Sequence, residues 1–351
     1  MGEVGQVRAV AATTPGLVCA HHHLYSSLAR GMPAPPRTPI SFPAILELVW
    51  WRLDRALDLE LIRWSARLGA LEALQSGTTT IIDHHSSPSA IEGSLDVVAE
   101  ACTEVGVRVV CCYEVTDRNG VDGAKAGLAE NERFLRAGGR GLVGAHACFT
   151  LSDETLDAVC GMAAELGVGV HIHVAEDRVD AAAGERLAGR AEDSWLLAHG
   201  VHLDRQLPGI LAHNPRSNLN NAVGYSRPAR FSRVALGTDG IGADMLEEFR
   251  LAFALYRADD VTASPESPWT WLATGWDLVA EAGDDRVTWS YEPMDPWHLG
   301  YTTGASVRPL RVEVAGQVAL DEHGPTRVDA AEIKARAREE AGRLFRRMEE
   351  L

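Results

Sequence analysis

Eight short runs of apolar and β-branched residues recur between residues 17 and 237, and no other feature limits the possible folds as tightly. They are 17-LVCA-20, 78-TTTII-82, 107-VRVVCC-112, 141-GLVGA-145, 168-VGVHI-172, 196-LLA-198, 209-GILA-212 and 233-RVALG-237. Amphipathic stretches at 58–75, 90–105, 124–137 and 152–166 precede the second to fifth runs. Such alternation builds βα units, because parallel strands need a crossover and a helix supplies it. Ser152, with Asp153 and Glu154 behind it, reads as the N-cap of the helix at 152–166. The expected architecture is an α/β barrel, although a doubly wound open sheet gives a similar count. Little sequence remains for helices between the sixth and eighth runs.

After residue 257 the period changes. The segment 306-SVRPLRVEVAGQVAL-320 alternates and carries an Ala315-Gly316-Gln317 turn, the pattern of a β-hairpin outside the barrel. Asp329 and Glu332 stand at capping-box spacing, and Ile333, Ala337, Ala341, Leu344, Met348 and Leu351 fall on one stripe of a terminal helix. Residues 258–300 are rich in Trp, Pro, Asp and Gly and show no period. The expected organisation is a barrel at 15–257, a β-rich appendage from 1–14 and 286–328, and a helix at 329–351.

His21, His23, His146, His173, His199 and His213 each stand at or just beyond the C-terminal end of an expected strand, the rim where α/β barrels build their sites. In 16-GLVCAHHHLYS-26, His21 and His23 point the same way by strand periodicity, so both can face one ion while His22 faces away; a histidine-rich loop is the alternative. In 171-HIHVAED-177, Glu176 follows His173 by three residues and can move protons over a bound metal. His171, one layer deeper, reads as a hydrogen-bonded core histidine. His199 faces the barrel mouth, whereas His202 reads as a loop residue. Asp239, flanked by glycines after the last run, reads as a metal ligand or as a helix cap, and Asp244 competes for the cap.

Composition removes several classes. The net charge of −16 and the absence of a basic block disfavour nucleic acid. Six cysteines without a C-x-x-C pair read as reduced thiols of a cytoplasmic protein. No run of 18 apolar residues occurs, so neither a membrane span nor a secretory signal is expected. H-E-x-x-H, a P-loop and the P-C-x-x-C of zinc nucleobase deaminases are all missing.

The ordered set PGLVCAHHH, SGTTTIIDH, HVAE, AHGVHL, HNPRSN and LGTDG, from Pro15 to about Arg250, resembles the amidohydrolase superfamily in its cytosine-deaminase-like and chlorohydrolase-like branch. Stretches such as 79-TTIIDHHSSP-88 and 213-HNPRSNLNNAVGY-225 look most like aminohydrolases associated with bacterial selenium metabolism. The resemblance implies a (β/α)8 TIM-type barrel of the metal-dependent hydrolase fold, with a small β-sandwich appendage incomplete on its N-terminal side and a C-terminal helix. It implies that His21, His23, His173 and Asp239 hold one divalent metal ion, zinc, with iron or manganese as alternatives. Glu176 then shuttles protons, His199 holds and deprotonates the attacking water, and His146 contacts the substrate.

Asn218, like His84, His85, Arg216 and Asn221, is either a substrate-reading or a structural residue. The implied reaction is deamination of a small nitrogen-rich heterocycle by a metal-bound hydroxide; cyclic amide hydrolysis and a catalytically weak metal-holding role in selenium-linked metabolism are the alternatives. Binuclear relatives bridge two metals with a carboxylated lysine, but Lys125 lies in an expected helix and Lys334 in the tail, so one metal is expected. Short connections after the sixth and seventh strands would bare apolar strand faces, to be covered by the Trp-rich segment or by a second copy in a homodimer.

Overall fold

The structure, a computed structural model, describes residues 12–302 and 306–351, so residues 1–11 of the expected appendage lie outside the described residues. Among the described residues eight parallel strands form the barrel: β1 (Leu17–His23), β2 (Thr78–His85), β3 (Arg108–Tyr113), β4 (Val143–Ala147), β5 (Val170–Val174), β6 (Leu196–His199), β7 (Ile210–His213) and β8 (Val234–Leu236). Bridges Cys111↔Gly141 and Val115↔Ala145 join β3 to β4. Beyond β8, Asp239–Gly240 pairs in parallel with His22 and His23, and this closes the ring. At that seam Gly237 leaves no room for a side chain, since a Cβ would lie 2.4 Å from Asn214 Oδ1 and 2.8 Å from the His21 nitrogen.

The long helices lie where periodicity placed them: α1 (Leu59–Gln75), α2 (Ser94–Val105), α3 (Gly120–Arg136) and α4 (Asp153–Leu166). Asp58 caps α1 by accepting the Leu61 N–H at 3.0 Å, and Ser152 caps α4 by accepting that of Thr155 at 3.2 Å. Leu61, Ile62, Leu71 and Leu74 of α1 are fully buried, each stabilising the fold by roughly 1.5–3 kcal/mol. Strands β1, β4 and β5 run two or three residues further than expected, because pairing resumes at His22 and Ala147 after an irregularity and reaches His173 and Val174 in β5. His21, His23, His146 and His173 are therefore held by strand backbone.

The connections after β6 and β7 are indeed short, a loop at 200–209 and two brief helical segments, Pro215–Asn220 and Pro228–Arg230. Their strand faces are covered within the chain. Leu203, Leu207 and Phe231 pack over β6 and β7, and the Trp-rich helix Glu266–Ala273 packs against β8. A second copy is not required to bury these faces.

The appendage is an antiparallel sheet in the order Ala12–Thr14, Arg286–Trp289, Pro309–Val314, Gln317–Asp321, Gly324–Pro325. The expected hairpin turns through Ala315 and Gly316, both at positive φ, 50° and 75°, a geometry that matches strand twist. Trp289 is fully buried, donates its indole N–H to Thr14 Oγ1 at 2.8 Å, and lies over Gly77 of the barrel. Helix α5 is Met245–Asp259, capped by Asp244, and the terminal helix α6 (Ala330–Glu349) is capped by Asp329. Helix α6 buries Ile333, Ala337, Leu344 and Met348 and is tied to α1 through Arg343 and Asp58. All six cysteines are free. Among the described residues no helix is long and apolar enough to cross a membrane.

Candidate metal centre and active site

The strand ends of β1, β5 and β6 and the seam residue Asp239 converge at the C-terminal rim. His23 donates its Nδ1 hydrogen to the His84 carbonyl at 2.5 Å, and His173 donates its own to the His146 carbonyl at 2.8 Å. A carbonyl only accepts, so both rings carry a proton on Nδ1, and in the neutral ring the Nε2 lone pair turns inward. Those two nitrogens stand 3.2 Å apart. Asp239 Oδ1 lies 2.9 Å from His23 Nε2 and 3.3 Å from His21 Nε2. Behind them His21 Nδ1 is 2.8 Å from His171 Nε2, so His171 is the hydrogen-bonded core residue expected and fixes the His21 ring.

Four acceptors crowded this closely repel one another unless a cation lies between them. Tetrahedral bonds of about 2.05 Å would set donor atoms roughly 3.3 Å apart, close to the separations found. The Nε2 atoms of His21 and His199 are buried without a hydrogen-bond partner. Further, His21, His173, His199 and Asp239 place ligand atoms within 4.8 Å of one another, as do His21, His23, His84 and His173. The donor set thus fits a zinc-like divalent ion. Burial opposes charge on Asp239, but the His21 and His23 rings beside it outweigh burial and hold the carboxyl well below its ordinary range.

His199 sits at φ 73° and Asp239 at φ 60°, left-handed conformations that are costly for residues with a Cβ. Neighbours fix both. Asn218 Oδ1 accepts the His199 Nδ1 hydrogen at 2.8 Å, leaving Nε2 as an open acceptor. Ser217 donates its hydroxyl to Asp239 Oδ2, and Arg216 holds the carbonyls of Thr238 and Gly240 while its Nε pairs with Glu248 at 2.8 Å. Glu176 Oε2 lies 3.6 Å from His199 Nε2, and Asn221 reaches its other oxygen at 3.4 Å. Burial pushes the Glu176 carboxyl up to about 7.

A cavity of about 60 Å³ opens beside this cluster, lined by His23, His146, His173, Glu176 and Asp239 among others. By the rule of about 10–15 Å³ per water site, it holds a few waters or a group of ring size. His146 faces it, with Nδ1 2.6 Å from Thr150 Oγ1. Asn218 does not line it; its side chain stands behind His199, and the substrate contact expected of it gives way to a positioning contact. Among the remaining histidines His213 bonds Ser226 at 3.0 Å away from the cluster, His202 bonds the Val223 carbonyl, and His22 turns outward to Thr238.

Sequence reasoning missed the other side of this cavity. Tyr25, Phe42, Trp50, Trp51 and Phe149 form aromatic walls, and Asp54 and Glu114 add carboxylates. Arg118 pairs with Asp54 and stacks 4.9 Å over Trp51. Glu114 directly follows β3, so the strand-end rule that found Asp239 applied to it as well. Asp54 and the tryptophans lie on short helices between β1 and α1, where periodicity carries no such signal.

The sequence model of the amidohydrolase family matches residues 12–267. A 5'-deoxyadenosine deaminase of Methanopyrus kandleri is 34% identical over 282 residues, 71% of this chain and 63% of that protein. A 5-methylthioadenosine/S-adenosylhomocysteine deaminase of Desulforudis audaxviator is 31% identical over 309 residues, 78% of this chain and 69% of its own. The chain thus spans about two thirds of the length of these curated relatives, and less than that of the first. Two solved structures share the fold. An adenosine deaminase from Xanthomonas campestris with bound zinc superposes with a TM-score of 0.79 at 23% identity, covering 95% of this chain and 86% of that one. An atrazine chlorohydrolase from Arthrobacter aurescens complexed with zinc gives 0.74 at 22% identity, covering 94% and 88%. With the family's sequence pattern running through the whole barrel and the same architecture in these neighbours, the chain belongs to the amidohydrolase family.

Proposed function

We propose that this chain is a zinc-dependent aminohydrolase that replaces the amino group of a small nitrogen heterocycle by oxygen and releases ammonia. The observation that carries the reading is the convergence of His21, His23, His173 and Asp239 acceptors, closer than they tolerate without a cation, at the mouth of a ring-sized cavity. When bound, a divalent ion supplies Lewis acidity that brings the acidity of water toward neutral pH.

The chain's own groups manage position and protons. His199, locked by Asn218, offers Nε2 as the acceptor that orients the attacking water. Glu176, poised near neutrality, takes a proton at Oε2 and returns it to a substrate nitrogen, the matching that general acid–base work requires. Asp239 stays ionised and accepts, and His146 Nε2 faces the substrate. Aromatic walls hold a flat ring in register with these groups and shed water from it.

The test is metal content together with ammonia release. Purified protein is expected to carry about one equivalent of zinc, strongly reduced in His173→Ala and Asp239→Ala. It should release ammonia from at least one member of a panel of aminopurines (5'-deoxyadenosine and 5-methylthioadenosine among them), pterins and triazines. Bound metal with no ammonia from any amine, or turnover of cyclic ureas alone, would overturn the deaminase reading.

A further inference from the structure

The cavity is lined by six carboxylates, Asp54, Glu114, Glu176, Asp177, Asp180 and Asp239, and by no lysine or arginine among the described residues. Five of them accept hydrogen bonds. Asp239 meets His21 and His23, and Glu176 is held by Asn221. Asp180 accepts the backbone N–H groups of Phe149 and Ala175, each at 2.8 Å, Asp177 accepts that of Val179, and Asp54 pairs with Arg118.

Glu114 is the exception. It is 3% exposed and forms a long ion pair with Arg118 Nη2 at 3.6 Å; His84 Nδ1 stands at 3.6 Å and His146 Nε2 at 3.8 Å, and among the described residues its carboxylate accepts no hydrogen bond. Arg118 spends that same nitrogen on Asp54 and on Ser86 at 3.2 Å. His84 is fully buried and neither of its ring nitrogens has a hydrogen-bond partner. The Thr150 hydroxyl gives its hydrogen to the Ala147 carbonyl at 3.0 Å, so it can only accept from His146 Nδ1. His146 Nε2 is therefore a bare acceptor, aimed across the same gap as Glu114. Two acceptors facing one gap, with the His173 ligand atom within 4.8 Å of both, lack the donors that would satisfy them.

We propose that the substrate fills this gap with a cationic amidine or guanidine group, whose N–H donors are received by Glu114 and His146 beside the metal centre. The inference rests on the aminohydrolase reading and narrows its substrate class. A planar N–C–N cation offers N–H groups in one plane, stacks between the aromatic walls, and is drawn in by a field that repels phosphorylated or carboxylated compounds. The reaction balances. Water adds to the amidinium carbon, a C–O bond forms, one C–N bond breaks, and ammonium leaves with the positive charge while Glu176 relays the proton to the departing nitrogen.

The experiment compares benzamidine with benzamide, of the same shape but neutral, as ligands of the metal-loaded enzyme by calorimetry. Wild type is expected to prefer benzamidine at least tenfold, and Glu114→Gln to lose most of that preference with zinc content and melting temperature unchanged. Equal or better binding of benzamide to wild type would overturn the inference without recourse to any variant. So would two zinc equivalents in wild type falling to one in Glu114→Gln, which would make Glu114 a metal ligand instead. Failure of the aminohydrolase reading registers separately, as silence in the ammonia assay whatever the binding preference.

Discussion

Replacing Asn218 by leucine removes the acceptor that fixes the His199 tautomer. In the native site the His199 Nδ1 hydrogen goes to Asn218 Oδ1 at 2.8 Å, and both residues are at most 1% exposed. Without that acceptor the N–H is stranded, at a cost of about 1–3 kcal/mol for a buried unsatisfied donor. The ring escapes by carrying its proton on Nε2 instead, with Asn214 Nδ2, 3.5 Å from Nδ1, able to donate to the freed nitrogen. Nε2 then points a hydrogen, not a lone pair, at the attacking water. At about 1.4 kcal/mol per tenfold, the useful tautomer falls roughly 5- to 150-fold.

The expected result for Asn218→Leu is a loss of kcat of one to two orders of magnitude, with KM and zinc content little changed. Asn218→Asp, which keeps an acceptor, should retain most of the activity. Nitrogen-15 spectra of the His199 imidazole read the tautomer directly and need no substrate. An Asn218→Leu protein with unaltered kcat, or one whose His199 keeps its proton on Nδ1, would refute the reasoning.

Three further outcomes are expected. Stripping the ion with a chelator should lower the melting temperature by about 4 °C: occupancy at about a hundred times Kd is worth about 2.7 kcal/mol, and 351 residues at about 2.1 cal/mol/K each give an unfolding entropy near 0.74 kcal/mol/K; zinc should restore it, and an unmoved melting curve would count against a bound metal. Gly77→Ala should cost about 2–4 kcal/mol in urea unfolding, since its φ is +83° and a Cβ would lie 2.4 Å from the Trp289 ring; a loss under 1 kcal/mol would show that Trp289 moves aside. Asp58 is held down to about 2, chiefly by its hydrogen bonds to Arg343, so its contribution is complete above its ordinary 3.8 and disappears as pH falls through about 2. Asp58→Asn, which keeps the helix cap, should therefore melt below wild type at neutral pH by an amount worth about 1 kcal/mol or less for this half-exposed pair, and the gap should close by about pH 2; a gap that persists there would refute the ion pair as its origin.

The barrel was legible because strand and helix periods differ and because parallel strands, buried on both faces, read as continuous apolar runs. Strand ends were not, since His22, His23 and His173 are poor hydrophobic markers even though their backbones pair in the ladders. The convergent residues could be read one by one from their places after strands, as with Asp239. What escaped were contacts between distant segments: Asn218 behind His199, Arg118 across Asp54, and the tryptophans that wall the cavity. Such contacts depend on how short helices lie over a rim, and residue spacing along the chain carries no record of that. The cover over β6 and β7 was likewise hidden, because Leu203, Leu207 and Phe231 sit in irregular loops.

Asp239–Gly240 pairs with His22 and His23, so the ring's first and last segments meet where the proposed ligands converge. A nascent chain emerging from the ribosome carries His21 and His23 early, but it cannot cage the cation until nearly all of the barrel has been synthesised. Contacts of such long sequence separation form slowly, after entropy has been lost elsewhere. On the proposed reading, metal capture is a late event of biogenesis, and scarcity of the ion would be felt as incomplete closure, not as failure of the early helices to form.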